Sequence, residues 1–367
     1  MKRLLCIILL FISGMITAQT KTNKIVIIVS SYGKDMGKTR PGFDMDEFSQ
    51  AYLIFKANGF TIDIASPKGG KAESGSFNKE KPYNKTVSQD PAVMQLLAQT
   101  KPTAALRAKD YGAVYIVGGK GPMFDLVVDP SLQDFILDMD SSHSVIAAIC
   151  HGTIALANIK KNDRYLVENK MLTGFSNQEE TMFGKMAAEF PFLLEDRLLL
   201  RGAKYQKVEA MLPHVIRDGQ YITGQNPYSA TLLAEEIIKA LDKTPVARTK
   251  YKDELSMDLV KKASQGEMTW AQTELKKNHA QHDLELIAVY GYYHAMHAKK
   301  DKEKMKRAVA IIELATPYYY NEGLFLPLAE YYITLDNKTK ARETLNIVLQ
   351  KNPESKQAKL LLEQLKD

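Results

Sequence analysis

Two hydrophobic spacings alternate along the chain from residue 24. Short runs such as KIVIIVSS (24–31) are apolar at almost every position and rich in branched side chains. Parallel strands covered on both faces read this way. Between them lie stretches such as DEFSQAYLIFKANGF (46–60), whose apolar residues fall at helical spacing and stop at Asn58-Gly59, a helix-end signal. The same reading gives strands in FTIDIASPKGG (60–70), Ala113 to Val117 and VIAAI (145–149). It gives helices in SLQDFILDMDSS (131–142) and GTIALANI (152–159), a short strand in KMLTGF (170–175), and a hairpin turning at Asp218-Gly219. This alternation predicts an α/β fold, a mostly parallel sheet flanked by helices, with any site at the carboxyl ends of the strands.

Past Leu241 the pattern changes. A charged, aperiodic stretch over 242–253 reads as a linker, and residues 254–367 carry helical spacing with few β-branched runs. Two helix pairs look alike, over 284–316 and 322–353. In the second, Phe325, Leu328, Ala329, Tyr332, Ala341, Leu345 and Pro353 fall at the spacing of a tetratricopeptide repeat. In the first, Pro317 comes early. The prediction is an α/β domain over 19–241 followed by an all-α, repeat-like domain. A plain helical bundle is the other reading of the tail.

Composition adds one exclusion and one location. Of 367 residues, 45% are hydrophobic and 25% charged, ordinary for a globular protein, and the formal charge of +6 is dispersed. No basic block interleaved with aromatics occurs, so nothing points to nucleic acid. The opening MKRLLCIILLFISGMITAQ has the basic start and short apolar core of an export signal, cleaved after Ala18 although Ile16 is an imperfect match. The apolar run is short for a membrane span. The expectation is a secreted protein, periplasmic in a Gram-negative source. Cleavage removes Lys2 and Arg3, leaving about +4, and removes Cys6. Cys150 is then the sole cysteine. It can form no internal disulfide and is either a buried small hydrophobe or a reactive thiol.

Cys150 sits where the VIAAI strand hands over to the GTIALANI helix, the sharp strand-to-helix turn of a nucleophile elbow, with Gly152 allowing close packing after it. At a helix N-terminus, unpaired N–H groups favour an anion, so the thiol pKa is expected to fall. The His151 N–H forms half of an oxyanion hole. The glycine turn VGGKGP, with Gly118 and Gly119, is the candidate for the other half. A packed core cysteine is the plain alternative.

At these residues the chain resembles the ThiJ/PfpI superfamily, with its flavodoxin-like, class I glutamine amidotransferase-like fold. Within it the chain resembles the branch of heat-shock chaperones with glyoxalase III activity. AAICHG and VGGKGPMFDL carry the likeness, with PGFDMDEF, NGFTIDIASPKGG, KMLTGFSNQEET and YITGQNPYSA in support. It spans about 24–241 and leaves the tail unexplained. The resemblance implies Cys150 as nucleophile, His151 as its base, and Glu180 as the acid orienting that histidine, with Glu179 the adjacent alternative. It implies Glu47 as a protonated carboxyl contacting the sulfur, and Gly119 and His151 as oxyanion donors. Lys120 stands where the family commonly has a histidine. With Gly118 it is the substrate-side candidate, although a solvent-facing lysine is the favoured reading.

The implied chemistry needs no cofactor and no metal. The thiolate adds to a dicarbonyl such as methylglyoxal, and the hemithioacetal rearranges to a thioester that hydrolyses to a hydroxy acid. Removal of glycation adducts and hydrolysis of small amides share the geometry. A glutamine amidotransferase would need a downstream His-x-Glu pair, which the α/β segment lacks. A holdase chaperone using the tail as a protein-binding surface is the rival class, and a degenerate enzyme acting as a scaffold is a third. The resemblance also implies a homodimer. Among the remaining histidines, His143 reads as a surface residue and His214 as an ordinary strand start. His294 and His297, three apart on one helix with no evident carboxylate partner, read as a solvated face. The run Tyr318 to Tyr320 reads as helix packing.

Overall fold

A computed structural model describes residues 22–365 apart from 185. The stretch read as an export signal, 1–18, lies outside the described residues. Seven strands form the central sheet: β1 (Lys24–Ile28), β2 (Thr61–Ser66), β3 (Lys101–Pro102), β4 (Ala113–Ile116), β5 (Val145–Ile149), β6 (Val215–Asp218) and β7 (Tyr221–Gly224). Their order is β6-β7-β5-β4-β1-β2-β3, parallel except for the β6–β7 hairpin. The unbroken apolar runs follow from this layering. In β1, Ile25 and Ile27 enter the core on one face while Val26 and Ile28 enter the core on the other, and all four are fully buried.

Helices α1 (Met45–Ala57), α2 (Pro82–Gln89), α3 (Pro91–Ala98), α4 (Pro130–Ser141), α5 (Asn177–Phe183), α6 (Leu194–Leu200) and α7 (Ala230–Ala240) complete the α/β part. α1 starts at Asp44, whose carboxylate caps the Glu47 N–H at 3.0 Å, and ends before Asn58 as its sequence signals. It packs against α7 on one face of the sheet, while α4 covers the other beside β5.

No helix or strand occupies 241–251, and the tail begins at α8 (Lys252–Ser264). It continues through α9 (Met268–Asn278), α10 (Leu284–Ala298), α11 (Lys302–Ala315), α12 (Glu322–Thr334), α13 (Lys338–Lys351) and α14 (Lys356–Gln364). The two helix pairs anticipated from spacing are α10–α11 and α12–α13, and α8–α9 adds a hairpin ahead of them. Phe325, Leu328, Ala329, Tyr332, Ala341 and Leu345 are all buried. Gly291 lets α10 approach α11, because a Cβ there would lie 2.7 Å from the Ala308 carbonyl.

The tail is seated on the α/β part. Leu212 belongs to the tail's core. Tyr83 donates to Asp253 at 2.6 Å, Lys81 lies between Asp46 and Asp253, and Arg248 bridges Glu235 to Glu254. The expectation of a solvated histidine face fails here. His294 is buried against the α/β part, with Nδ1 3.3 Å from Glu209 and Nε2 3.2 Å from the Ala210 carbonyl. Its carboxylate partner comes from a segment 85 positions away, which spacing within the helix cannot reveal. His297 stays half-buried, its Nδ1 at 2.9 Å from the Tyr293 carbonyl.

Candidate active site

Strand β5 carries Cys150 to the carboxyl edge of the sheet, between β4 and β7. Cys150 adopts φ of +53°, a left-handed conformation that costs a residue with a side chain about 1–3 kcal/mol and recurs at functional turns. Two glycines make the turn fit. A Cβ on Gly152 would lie 2.6 Å from the Ile116 carbonyl, and one on Gly118 would lie 2.7 Å from both the Cys150 Cβ and Glu47 Oε2.

The segment after the elbow departs from expectation. It is a seven-residue 3-10 helix, Cys150–Leu156, in place of an α-helix running to 159, and every one of its residues is buried. Packing from all sides, which local propensity does not register, decides its form. The thiol departs too. Burial first, then the carboxyls of Glu47 and Asp44, push Cys150 well above its ordinary value, against a pull downward from the His151 N–H. The lowering expected from a helix terminus is overruled by desolvation and neighbouring acids.

The thiol has an imidazole within reach to which its proton could pass. His151 places Nδ1 3.4 Å from the Cys150 sulfur and Nε2 in a short hydrogen bond with Glu180 Oε1. The imidazole is held between Phe175, at 4.5 Å between ring centres, and Phe190, at 5.5 Å. The three side chains that the sequence proposed as nucleophile, base and orienting acid are thus joined in one chain of contacts.

Glu179 lies elsewhere. It is fully buried and accepts from the Ser176 N–H and hydroxyl, the Met211 N–H, and the amides of Gln225 and Asn226. Its bonds tie the start of α5 to the 206–212 segment and to the loop after β7. It does not reach His151. Alternation on one helical turn separates the two acids: Glu180 faces the sheet edge and Glu179 the supporting loops.

Glu47 is wholly buried at the first turn of α1. Its Oε2 accepts the Gly118 N–H at 2.7 Å, while Oε1 has no hydrogen-bond partner among the described residues. Burial, then the neighbouring Asp44, hold its carboxyl well above the usual range, and the Gly118 N–H and the Cys150 thiol pull it down. Two acids in one dry site cannot both ionise, so the Glu47–Cys150 pair retains a proton. This contact occupies Gly118: its N–H is spent on Glu47 and is not free for a substrate oxygen. Gly119, at φ of +84°, makes no hydrogen bond through its N–H among the described residues. Lys120 is half-buried and forms no ion pair among them.

Sequence reasoning missed Asp44, Phe175 and Phe190. Asp44 donates its N–H to the Gly118 carbonyl at 3.1 Å, and burial together with Asp46 pushes its carboxyl up to about 6. The Asp-x-x-Glu spelling from Asp44 to Glu47 is a helix-start signature that could have flagged it. Nothing local marks the two phenylalanines, since only the fold brings them to the imidazole. Among the described residues, no three His, Cys, Asp or Glu side chains gather as a metal-ligand set would.

Known proteins align with this architecture over the α/β part. A family model described as the DJ-1/PfpI family matches residues 38–240. The glutathione-independent glyoxalase HSP31 of Saccharomyces cerevisiae is 30% identical over 243 residues, covering 59% of this chain and 98% of the relative. Glyoxalase 3 of Candida albicans is 25% identical over 241 residues, covering 60% and 98%. The X-ray structure of the Francisella tularensis Rapid Encystment Protein of 24 kDa aligns at a TM-score of 0.56 and 32% identity, covering 59% of this chain and 98% of that one. The crystal structure of glyoxalase III from Candida albicans aligns at 0.54 with 23% identity, covering 59% and 96%, a likeness of fold. The helical region beyond 240 lies outside the family match.

Proposed function

This chain belongs to the DJ-1/PfpI family, and on that premise we propose that it is a cofactor-independent cysteine enzyme converting small α-dicarbonyls such as methylglyoxal to hydroxy acids. One observation carries the reading: a buried thiol in contact with an imidazole that a carboxylate holds in place, beside a second carboxyl that keeps its proton. The yeast and Candida glyoxalases support the substrate class.

In the proposed reaction the Cys150 proton passes to His151 as the sulfur adds to the aldehyde carbon. The aldehyde oxygen becomes the hydroxyl of a hemithioacetal. His151 then takes the proton from that carbon, forming an enediolate, and returns a proton to the adjacent carbon. The backbone N–H groups of Gly119 and His151 face the oxygen on which charge develops, and Glu47 donates its proton as a hydrogen bond toward the sulfur. The resulting thioester takes up one water, releasing the hydroxy acid and the free thiol. No external oxidant is needed, because one carbonyl carbon is oxidised while its neighbour is reduced.

The test is turnover of methylglyoxal to lactate by the full chain, followed by NMR, beside Cys150→Ser. Loss of about 10³-fold or more in the variant is the expected result. Undiminished turnover in Cys150→Ser, or turnover only of small amides by the native chain, would overturn the reading. A holdase would suppress client aggregation equally well in both proteins.

A further inference from the structure

A cavity of about 360 Å³, which Cys150 does not line, sits between the tail and the α/β part. Its floor is apolar, with Met182, Met268, Ala308 and Ile311 among the lining residues. Its lining carries two fixed cations, Lys304 and Arg307, against one carboxylate, Glu209. Glu209 lies 3.3 Å from His294 and is also drawn on by Arg307 through space, while Arg307 itself makes no hydrogen bond or ion pair among the described residues. Lys304 stands beside it, paired among the described residues with Asp301, the cap of its helix, at 3.4 Å. Tyr290, also in the lining, has a buried hydroxyl whose polar neighbours are Ser264 and Glu209. A cavity of this size, with apolar and polar residues both in its lining, is in the range of a small-molecule site.

Its placement is equally informative. Gln178 and Met182, one turn apart on α5, form part of the wall. Glu180 lies between them on the same seven-residue helix and holds His151. Glu209, also in the lining, lies two residues from Met211, whose N–H bonds Glu179. Both parts of the lining therefore connect to the two acids of α5 through single hydrogen bonds or one helical turn.

We propose that this cavity binds a small organic monoanion with a compact apolar body, its anionic end on Arg307 and Lys304, and that occupancy is relayed to Cys150 through α5. The ligand's carboxylate would pair with the guanidinium in the fork geometry such groups favour, and its body would replace water against the methionine and alanine floor. The proposal does not depend on which substrate Cys150 attacks.

The test uses the full chain with benzoate and hexanoate as probes and benzamide as the uncharged control, by calorimetry. Expected is saturable binding of at least one carboxylate with a Kd of about 1 mM or tighter, benzamide being weaker by about tenfold. Arg307→Gln, an exposed position whose replacement leaves the core untouched, should weaken the carboxylate by about tenfold or more. Saturating carboxylate should also change the rate at which iodoacetamide alkylates Cys150, and this change should disappear in Arg307→Gln at the same concentration. Absence of saturable binding, or binding indifferent to Arg307→Gln, overturns the site. Binding that leaves the alkylation rate unaltered overturns the relay.

Discussion

Glu47→Gln tests the protonation state on which the proposed chemistry turns. Glutamine has the shape of a protonated glutamate. Its carbonyl can accept the Gly118 N–H as Oε2 does at 2.7 Å, and its amide can donate toward the sulfur. If Glu47 is neutral, the substitution removes no charge, and the titration of Cys150 should move by no more than about one pH unit. If Glu47 is ionised, the substitution removes a repulsion of about 4 kcal/mol, taking about 4 Å and an effective dielectric of about 20, and the thiol should fall by about three units. The assay is the pH dependence of iodoacetamide alkylation at Cys150, followed by mass spectrometry of its peptide so that Cys6 does not interfere. A fall of two or more units would show that the carboxylate is charged and would refute the assignment. Glu47→Ala serves as the control for the hydrogen bonds. It strands the buried Gly118 N–H at a cost of about 1–3 kcal/mol, so its thermal midpoint should drop where that of Glu47→Gln does not.

The remaining expectations concern the neighbouring acids. Glu180→Gln should lower turnover by about 10²–10⁴-fold with little change in thermal midpoint, since it removes the charge that holds the His151 imidazole. Glu179→Gln should do the reverse: an amide nitrogen would face donors in a fully buried cluster, lowering stability by about 1–3 kcal/mol in chemical denaturation. Asp125, pushed from 3.8 up to about 6 by burial, binds its proton more tightly folded than unfolded. Its contribution to stability is therefore full below about pH 4 and is lost as pH rises through 6, a swing of about 3 kcal/mol. The difference in stability between the native chain and Asp125→Asn, measured in urea across pH 4 to 7, should follow that swing, and a flat difference would contradict it.

Much of the architecture is legible in spacing alone because burial on two faces imposes a recognisable composition. The runs at 24–31 and 145–149 are apolar because the sheet is covered on both sides, and Asn58-Gly59 ends a helix through local backbone chemistry. The cysteine at the end of a buried strand, followed by a histidine and a glycine, marked the candidate site for the same reason: a sharp turn restricts which residues can occupy it. The tail's paired helices were visible from their repeated apolar positions.

What spacing could not supply depends on groups distant in the chain. The direction of the thiol's shift is set by desolvation and by Glu47 and Asp44, brought from a different helix to the sheet edge. The choice between Glu179 and Glu180 rests on one residue's rotation around α5, which places one against His151 and the other among Met211, Gln225 and Asn226. His294 becomes a buried partner of Glu209 only when the tail docks. Local sequence governs which backbone shapes are cheap, so it determined the strands, most helices and the elbow. Electrostatics in a dry interior depend on through-space distance and lost solvent, so tertiary structure alone decided which partner each buried acid meets and in which direction burial moves its pKa.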